Sequence, residues 1–434
     1  MIFKNAIVIN PKENTQKPCD IKVENGIIVQ MEENIIPTST DEVIDLTGKY
    51  ISPGLVEIHC HLREPGFEDK ETIETGINSA INGGYTAICP MANTNPIVDD
   101  VETLLFTINK AKQAKDIGFY PICAVSENFK EEKIVDVKEL IKNGAIAFSN
   151  DGKPIENMNF LREALKEVNA NNSIIISHSE DSSLAKGGSI NEGSISKNFG
   201  IKGIPDIAES VAIARELEVV RNLNVKYHFA HVSTKRSVEL IRQAKKEGLN
   251  VTCETAPHYF SLSEEDIVEL NAKYKMNPPL RTKEDKEAII QGLIDGTIDV
   301  IATDHAPHTK EEKAMPIQNA PMGIIGFETA FGVTLKYLVH TGKLSLIEAI
   351  KKLTYNPANI LNIENQGIVE VDKPANLLVF DLNQEWVVDV EKFKSKGKIT
   401  PFDKYKLKGK PLMTVINGKI NYIEWGIYGN QTRN

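Results

Sequence analysis

Between residues 51 and 365 the sequence repeats a single alternation eight times: a short apolar run ending in polar residues, then a stretch with apolar residues at three- and four-residue spacing. The strand-like runs are LVEIHCH, YTAICPMAN, GFYPICAVS, AIAFSND, SIIISHSE, KYHFAHVS, NVTCETAPHY and IDVIATDHAPH. Stretches such as DVETLLFTINKAKQAKD, FLREALKEVNAN, DIAESVAIARELEVVRNL and KRSVELIRQAKKEG have the spacing of amphipathic helices. Eight β-α units in series predict an α/β fold of the (β/α)8 TIM-barrel type, with a doubly wound open sheet as the other arrangement that such alternation allows.

The flanks have a different texture. Residues 1–50 read as short strands separated by turns, one of them at Asn25-Gly26, and residues 366–434 return to that pattern with a second Asn-Gly at Asn417-Gly418. Asn-Gly between alternating apolar runs is a strong hairpin signal. Neither flank holds enough apolar material to close a core by itself. The 434 residues are also long for one core. The expected organisation is a small discontinuous β-sandwich built from 1–50 and 366–434, with the barrel inserted as 51–365.

Chemistry in such barrels gathers at the C-terminal ends of the strands. There the sequence places His59 and His61, Asp151, His178, His231 and Asp304. Side chains two apart on a strand share a face, so His59 and His61 project together, about 7 Å apart along the chain, while Cys60 turns away. A bare His-x-His pair is commonly just two polar strand residues. Four histidines and two aspartates on one rim exceed the needs of one tetrahedral zinc and suit two divalent ions sharing a bridge. Such a pair lowers the pKa of a bridging water and polarises a carbonyl oxygen, which is hydrolytic apparatus.

The segments His59-Cys60-His61-Leu62-Arg63-Glu64-Pro65-Gly66, Met91-Ala92-Asn93-Thr94, Ser149-Asn150-Asp151-Gly152, Ser177-His178-Ser179-Glu180, Ala230-His231-Val232-Ser233, Met276-Asn277-Pro278-Pro279-Leu280-Arg281 and Thr303-Asp304-His305-Ala306-Pro307-His308 carry a resemblance. Over essentially its whole length the chain resembles the bacterial class I dihydroorotases of the amidohydrolase superfamily. The resemblance implies two Zn²⁺ per subunit, the first held by His59 and His61 and the second by His178 and His231, with Asp151 bridging. Asp304 would ligate the first metal and shuttle the proton. It also implies that Arg63, Asn93 and His308 bind the carboxylate of dihydroorotate or N-carbamoyl-L-aspartate, Asn277 the pyrimidine ring, and backbone groups of Met322 and Gly323 the rest of the substrate. Arg63, two residues beyond His61, shares its face if the strand continues, and a guanidinium there can clamp a carboxylate in two-pronged fashion. Relatives outside this class bridge their metals with a carbamylated lysine. Here Asp151 stands at that place, and Lys153 reads as a solvated loop residue.

Smaller expectations concern the surroundings. Glu57 shares the face of His59 and is expected to support a ligand histidine. His258 reads as a pocket or supporting residue, while His228, His305 and His340 read as structural. The long stretch 309–326 after the eighth strand reads as a functional lid or a disordered loop.

A net charge of −10 argues against nucleic acid as the partner and leaves room for a small acidic metabolite. The five cysteines form no Cys-x-x-Cys pair and read as reduced thiols. With no signal-peptide pattern and no membrane-length apolar run, the expected location is the cytoplasm. A homodimer is expected, and association with an aspartate transcarbamoylase is compatible with the sequence. Competing functions are a hydantoinase- or allantoinase-type cyclic amidohydrolase and a non-catalytic scaffold for that transcarbamoylase.

Overall fold

The computed structural model describes residues 1–424. Its centre is a set of parallel strands taken in sequence order: β1 (Leu55–Cys60), β2 (Tyr85–Pro90), β3 (Gly118–Phe119, resuming at Ile122–Cys123), β4 (Ala147–Phe148), β5 (Ile175–Ser177), β6 (Tyr227–Phe229), β7 (Val251–Thr255) and β8 (Val300–Ile301). Each pairs in parallel with the next. Beyond β8 the chain returns to the first strand: Cys60 and His305 form a parallel bridge, and the His61 N–H donates to the His305 carbonyl at 2.8 Å. All eight segments expected from the sequence therefore pair as strands. Every residue of β1 and β2 is buried, as the unbroken apolar runs require of strands covered on both faces.

The intervening helices form where the three- and four-residue spacing falls, at Val101–Ala114, Met158–Ala170, Ile207–Leu223 and Lys235–Lys246 among others. Asp100, Asn157 and Thr234 cap three of them by accepting from first-turn N–H groups, which satisfies donors that have no partner inside the helix. In Lys235–Lys246 the buried residues are Ser237, Val238, Ile241 and Ala244, one face of the helix. The charged remainder meets solvent.

Strands from both ends of the chain join in one eight-stranded sheet. Ile2–Asn10, Thr15–Glu24, Ile27–Glu32, Val43–Asp45 and Tyr50–Pro53 come from the N-terminal side, and Leu377–Val387, Lys406–Ile416 and Lys419–Ile423 from the C-terminal side. The junction is the antiparallel pairing of Tyr50–Pro53 with Leu377–Phe380. Residues of both ends share one apolar cluster, with Phe3, Val8, Ile21 and Ile51 against Leu377, Val379, Met413 and Val415. Both Asn-Gly turns form as two-residue hairpins with positive φ at each central position, 50° and 85° at Asn25-Gly26 and 48° and 74° at Asn417-Gly418. That is the geometry whose twist suits flanking strands. Tyr50–Pro53 runs almost directly into β1, so this sheet anchors the strand that carries His59. Among the described residues no helix is long and apolar enough to cross a membrane.

Candidate metal centre

Where the parallel strands end, six side chains from five of them meet. Asp151 lies at the middle: its Oδ1 is 3.4 Å from His59 Nε2, 3.4 Å from His178 Nδ1 and 3.5 Å from His231 Nε2, and its Oδ2 is 3.4 Å from His61 Nε2. Asp304 Oδ1 approaches His61 Nε2 at 3.1 Å and His59 Nε2 at 3.7 Å. The rings lean together, with the His59 and His61 centroids 5.5 Å apart and those of His178 and His231 4.6 Å apart. Two groups have ligand atoms spaced to hold an ion, His59–His61–Asp151 and Asp151–His178–His231, and they share the carboxylate. Asp151 Oδ1 and His59 Nε2 are buried and have no hydrogen-bond partner. Buried polar atoms without partners are costly. A divalent cation is the partner that several nitrogens and a carboxylate aimed at one point would accept together.

The ring orientations have identifiable causes. His59 Nδ1 lies 2.6 Å from Glu254 Oε1, so its N–H points at a carboxylate and Nε2 is left facing Asp151. Glu254 comes from β7 and also accepts from His228 Nε2 at 3.2 Å, while His228 Nδ1 lies 2.7 Å from Thr252 Oγ1. Asn93 Oδ1 orients His61 in the same way, 2.8 Å from its Nδ1. Glu57, expected to support a ligand ring, instead accepts from the backbone N–H groups of His59 and Thr303, which fixes β1 against the end of β8. Glu254 was not anticipated. A glutamate inside the apolar run VTCET was the available signal, because a buried carboxylate needs donors.

Charge follows this geometry. Burial alone would raise the Asp151 carboxyl, but His59, His178 and His231 outweigh it and hold the group well below the usual range. Asp304, also pushed upward by burial, is brought below its ordinary value by His61, His59 and His231. Both carboxylates are anionic at neutral pH.

The cavity beside this cluster, about 220 Å³, is lined by every expected site residue except His59, which lies behind it. Arg63 reaches the cavity by a different route from the one the sequence suggested. β1 stops at Cys60, and Arg63 adopts φ 67°, so the strand does not continue. The loop delivers the guanidinium instead, with Nε donating to the Pro307 carbonyl at 3.1 Å. Burial pushes this group down to about 10, with Asp304 and Asp151 opposing, so it stays charged. His231 and Asp304 also have positive φ, 32° and 48°. Three non-glycine residues in the left-handed region at one site mark a backbone held by its surroundings.

His308 Nε2 lies 2.7 Å from the Met322 carbonyl and 3.3 Å from Arg63 Nη2. A carbonyl only accepts, so Nε2 carries the proton and the closer contact is the hydrogen bond. Burial and Arg63 push His308 down to about 2, which makes it a neutral ring. Asn277 Nδ2 lies 3.3 Å from His178 Nε2, on the cavity side of that ring. His258 is buried beside Tyr259 with Nε2 unpartnered, and it does not line the cavity. His305 turns away, stacked on Phe327 and accepting from Gly326 N–H. Lys153 is exposed, and its backbone N–H donates to the Asn150 carbonyl at 2.8 Å.

The chain is similar to known proteins over nearly its whole length. A family model described as dihydro-orotase-like matches residues 48–237. The dihydroorotase of Acetivibrio thermocellus is 47% identical over 97% of this chain and 98% of its own length, and that of Bacillus pumilus 43% identical over 98% of each. Among solved structures, the L-hydantoinase (dihydropyrimidinase) of Arthrobacter aurescens superposes with a TM-score of 0.88 at 26% identity, covering 96% of this chain and 95% of that one. With identity at this level over nearly its whole length, the chain belongs to the dihydroorotase family.

Proposed function

We propose that the protein is a zinc-dependent dihydroorotase: it hydrolyses the ring amide of (S)-dihydroorotate and, in reverse, closes N-carbamoyl-L-aspartate to the ring for pyrimidine synthesis. One observation carries the reading. The cavity is lined both by a shared-carboxylate histidine cluster and by a half-buried, charged Arg63, in a chain whose full-length relatives are named dihydroorotase.

On this reading His59, His61, Asp151, His178, His231 and Asp304 hold two Zn²⁺ ions. When bound, such ions supply Lewis acidity, lowering the pKa of water and polarising a carbonyl oxygen. The side chains do the rest. Asp304, anionic and set beside His61, takes the proton of the attacking water and returns it to the departing ring nitrogen. Arg63 binds the substrate carboxylate. Asn93, whose Oδ1 is taken by His61, turns its amide N–H₂ to the same group, and neutral His308 shapes that wall. Asn277 faces the pyrimidine ring, with Met322 and Gly323 closing the cavity.

The same reading takes the eight parallel strands as a (β/α)8 barrel over 51–365, supported by the β1–β8 contact through Cys60 and His305. The sheet of 1–50 and 366–434 is then a small β-sandwich curled over its own apolar strip, with residues 425–434 outside the described part. A cytoplasmic homodimer, able to associate with an aspartate transcarbamoylase, completes it.

The fold similarity to a hydantoinase favours a second reading, a hydantoin-type cyclic amide hydrolase. A hydantoin ring has no carboxylate for the Arg63 guanidinium to bind. Hydrolysis of L-dihydroorotate by the zinc-loaded protein, compared with Asp304→Ala, tests the choice. Turnover that falls by roughly 10²-fold or more in the variant, compared at matched zinc content, is expected. A folded, zinc-loaded wild type that turns over hydantoin and not dihydroorotate would refute it.

A further inference from the structure

The stretch after β8 is built around a buried lysine. Lys313 ends the short helix Lys310–Lys313 and is 5% exposed. Its Nζ donates to three main-chain carbonyls, those of Lys275 at 3.0 Å, Pro321 at 3.1 Å and Gly323 at 2.7 Å. An ammonium group has three N–H donors and no acceptor, so the three carbonyls saturate it. Among the described residues no carboxylate lies within ion-pair distance of it. The acceptors join two separate segments, residues 275–277 and 321–323, and both reach the cavity, through Asn277 and through Met322 and Gly323.

Two further contacts draw the same segments together. Gly323 N–H donates to the Lys275 carbonyl at 3.0 Å, and Lys275 Nζ donates to the Gln318 carbonyl at 3.2 Å. Gly323 has φ 128°, and a Cβ there would lie 2.6 Å from the Ala306 carbonyl oxygen, so the backbone fits against the segment after β8 with no room to slide. Fixing a segment of this kind from behind controls where its cavity-side atoms lie, and a binding surface held in place before the substrate arrives costs less to order when it binds.

We propose that Lys313 is a positioning residue for the reaction: by tying the carbonyls of Lys275, Pro321 and Gly323 to one ammonium group, it holds Met322, Gly323 and Asn277 at the substrate. This rests on the dihydroorotase reading. Burial, with Lys275 and Arg63 adding to it, pushes the Lys313 amine down to about 7, and Glu312 opposes. The charged groups facing it are Lys275, Glu312 and Arg63, with Lys70 beyond, bound to Glu312, and neutral His308 beside them. Below about pH 7 all three donors are present. Above it the neutral amine keeps two and loses its charge, so the substrate KM rises.

The test is steady-state hydrolysis of L-dihydroorotate by the zinc-loaded full chain across pH 6–9, for wild type, Lys313→Met, Lys313→Arg and Lys352→Met. Lys352 is the matched control, a buried lysine donating to the Ile298 carbonyl away from the cavity. Lys313→Met is expected to raise KM by about tenfold or more, with metal content unchanged and a smaller effect on kcat. Lys352→Met lowers the melting temperature and leaves KM in place. If Lys313→Met does not fold, the pH profiles decide: the wild-type KM rises through about 7, and that of Lys313→Arg, whose charge persists, stays flat. A wild-type KM that is flat from pH 6 to 9, or a folded Lys313→Met with wild-type KM, overturns the proposal. A wild type with no turnover of dihydroorotate refutes the functional reading instead and is seen before any variant is compared.

Discussion

Residue spacing reveals which side chains can meet at a strand end, and much less about what holds them there. His59 and His61 are legible because a strand alternates every two residues, and Asp151, His178, His231 and Asp304 because each closes its own apolar run. Glu254 is harder to see, since its role depends on β7 lying across the site from β1, a relation that no local pattern encodes. Its Oε1 receives the His59 N–H at 2.6 Å, and so it sets which ring nitrogen faces Asp151. Arg63 shows the opposite case: the residue was legible but the reason was not, because the strand ends earlier and a left-handed residue turns the side chain into the cavity. Glu254→Gln keeps the shape and removes the charge that favours the Nδ1–H form. Weakening such a partner costs roughly 10- to 100-fold in metal affinity. Zinc competition against a chelator of known affinity should show that loss with the fold intact by circular dichroism, and an unchanged affinity would assign Glu254 to packing alone.

Elements were legible where their period was clear and their ends carried local chemistry. The four helices named from their spacing fall where it put them, and Asn25-Gly26 and Asn417-Gly418 form the two-residue turns that Asn-Gly prefers. That the two turns touch was not legible: a Cβ at Gly26 would lie 2.6 Å from the Asn417 carbonyl oxygen, a contact across almost the whole chain. Contacts between elements also place Glu328. It opens the helix Phe327–Thr334 and accepts from Ser79 Oγ at 2.7 Å on the helix Ile73–Gly83 and from Lys394 N–H at 2.8 Å on the C-terminal segment. Burial pushes its carboxyl up to about 7, and these donors only partly offset the shift. The folded state therefore binds this proton more tightly than the unfolded chain does, and stability falls as pH rises from about 4.5 through 7. Glu328→Gln keeps the accepting oxygen and removes the titration. Its stability relative to wild type, followed by urea unfolding from pH 5 to 8, should rise across that window by about 1–3 kcal/mol. A constant difference would show that the carboxyl titrates normally.

At the scale of the whole molecule, the texture of the two flanks implied that both ends meet, and Tyr50–Pro53 pairs with Leu377–Phe380 in one sheet. The sequence did not disclose how far the C-terminal part enters the larger core. Phe380, Val388, Phe402, Leu407 and Ile416 belong to the apolar cluster that includes Leu55 and Phe327, while Leu377, Val379, Met413 and Val415 pack with the N-terminal strands. Alternation on one strand thus sends neighbouring residues into two cores, and Thr414 adds a hydrogen bond to the Ile81 carbonyl at 2.7 Å. A chain ended after residue 365 would lose both contributions at once. Each large buried side chain removed forfeits roughly 1.5–3 kcal/mol of burial, against a typical domain stability of about 5–15 kcal/mol. It would also leave Tyr50–Pro53 as an unpaired apolar edge, a template for aggregation. The truncated chain is expected in the insoluble fraction, and the full chain is expected to melt in a single transition with and without zinc. A soluble 1–365 fragment that binds zinc and turns over dihydroorotate would show that the parallel-strand core stands without the C-terminal strands.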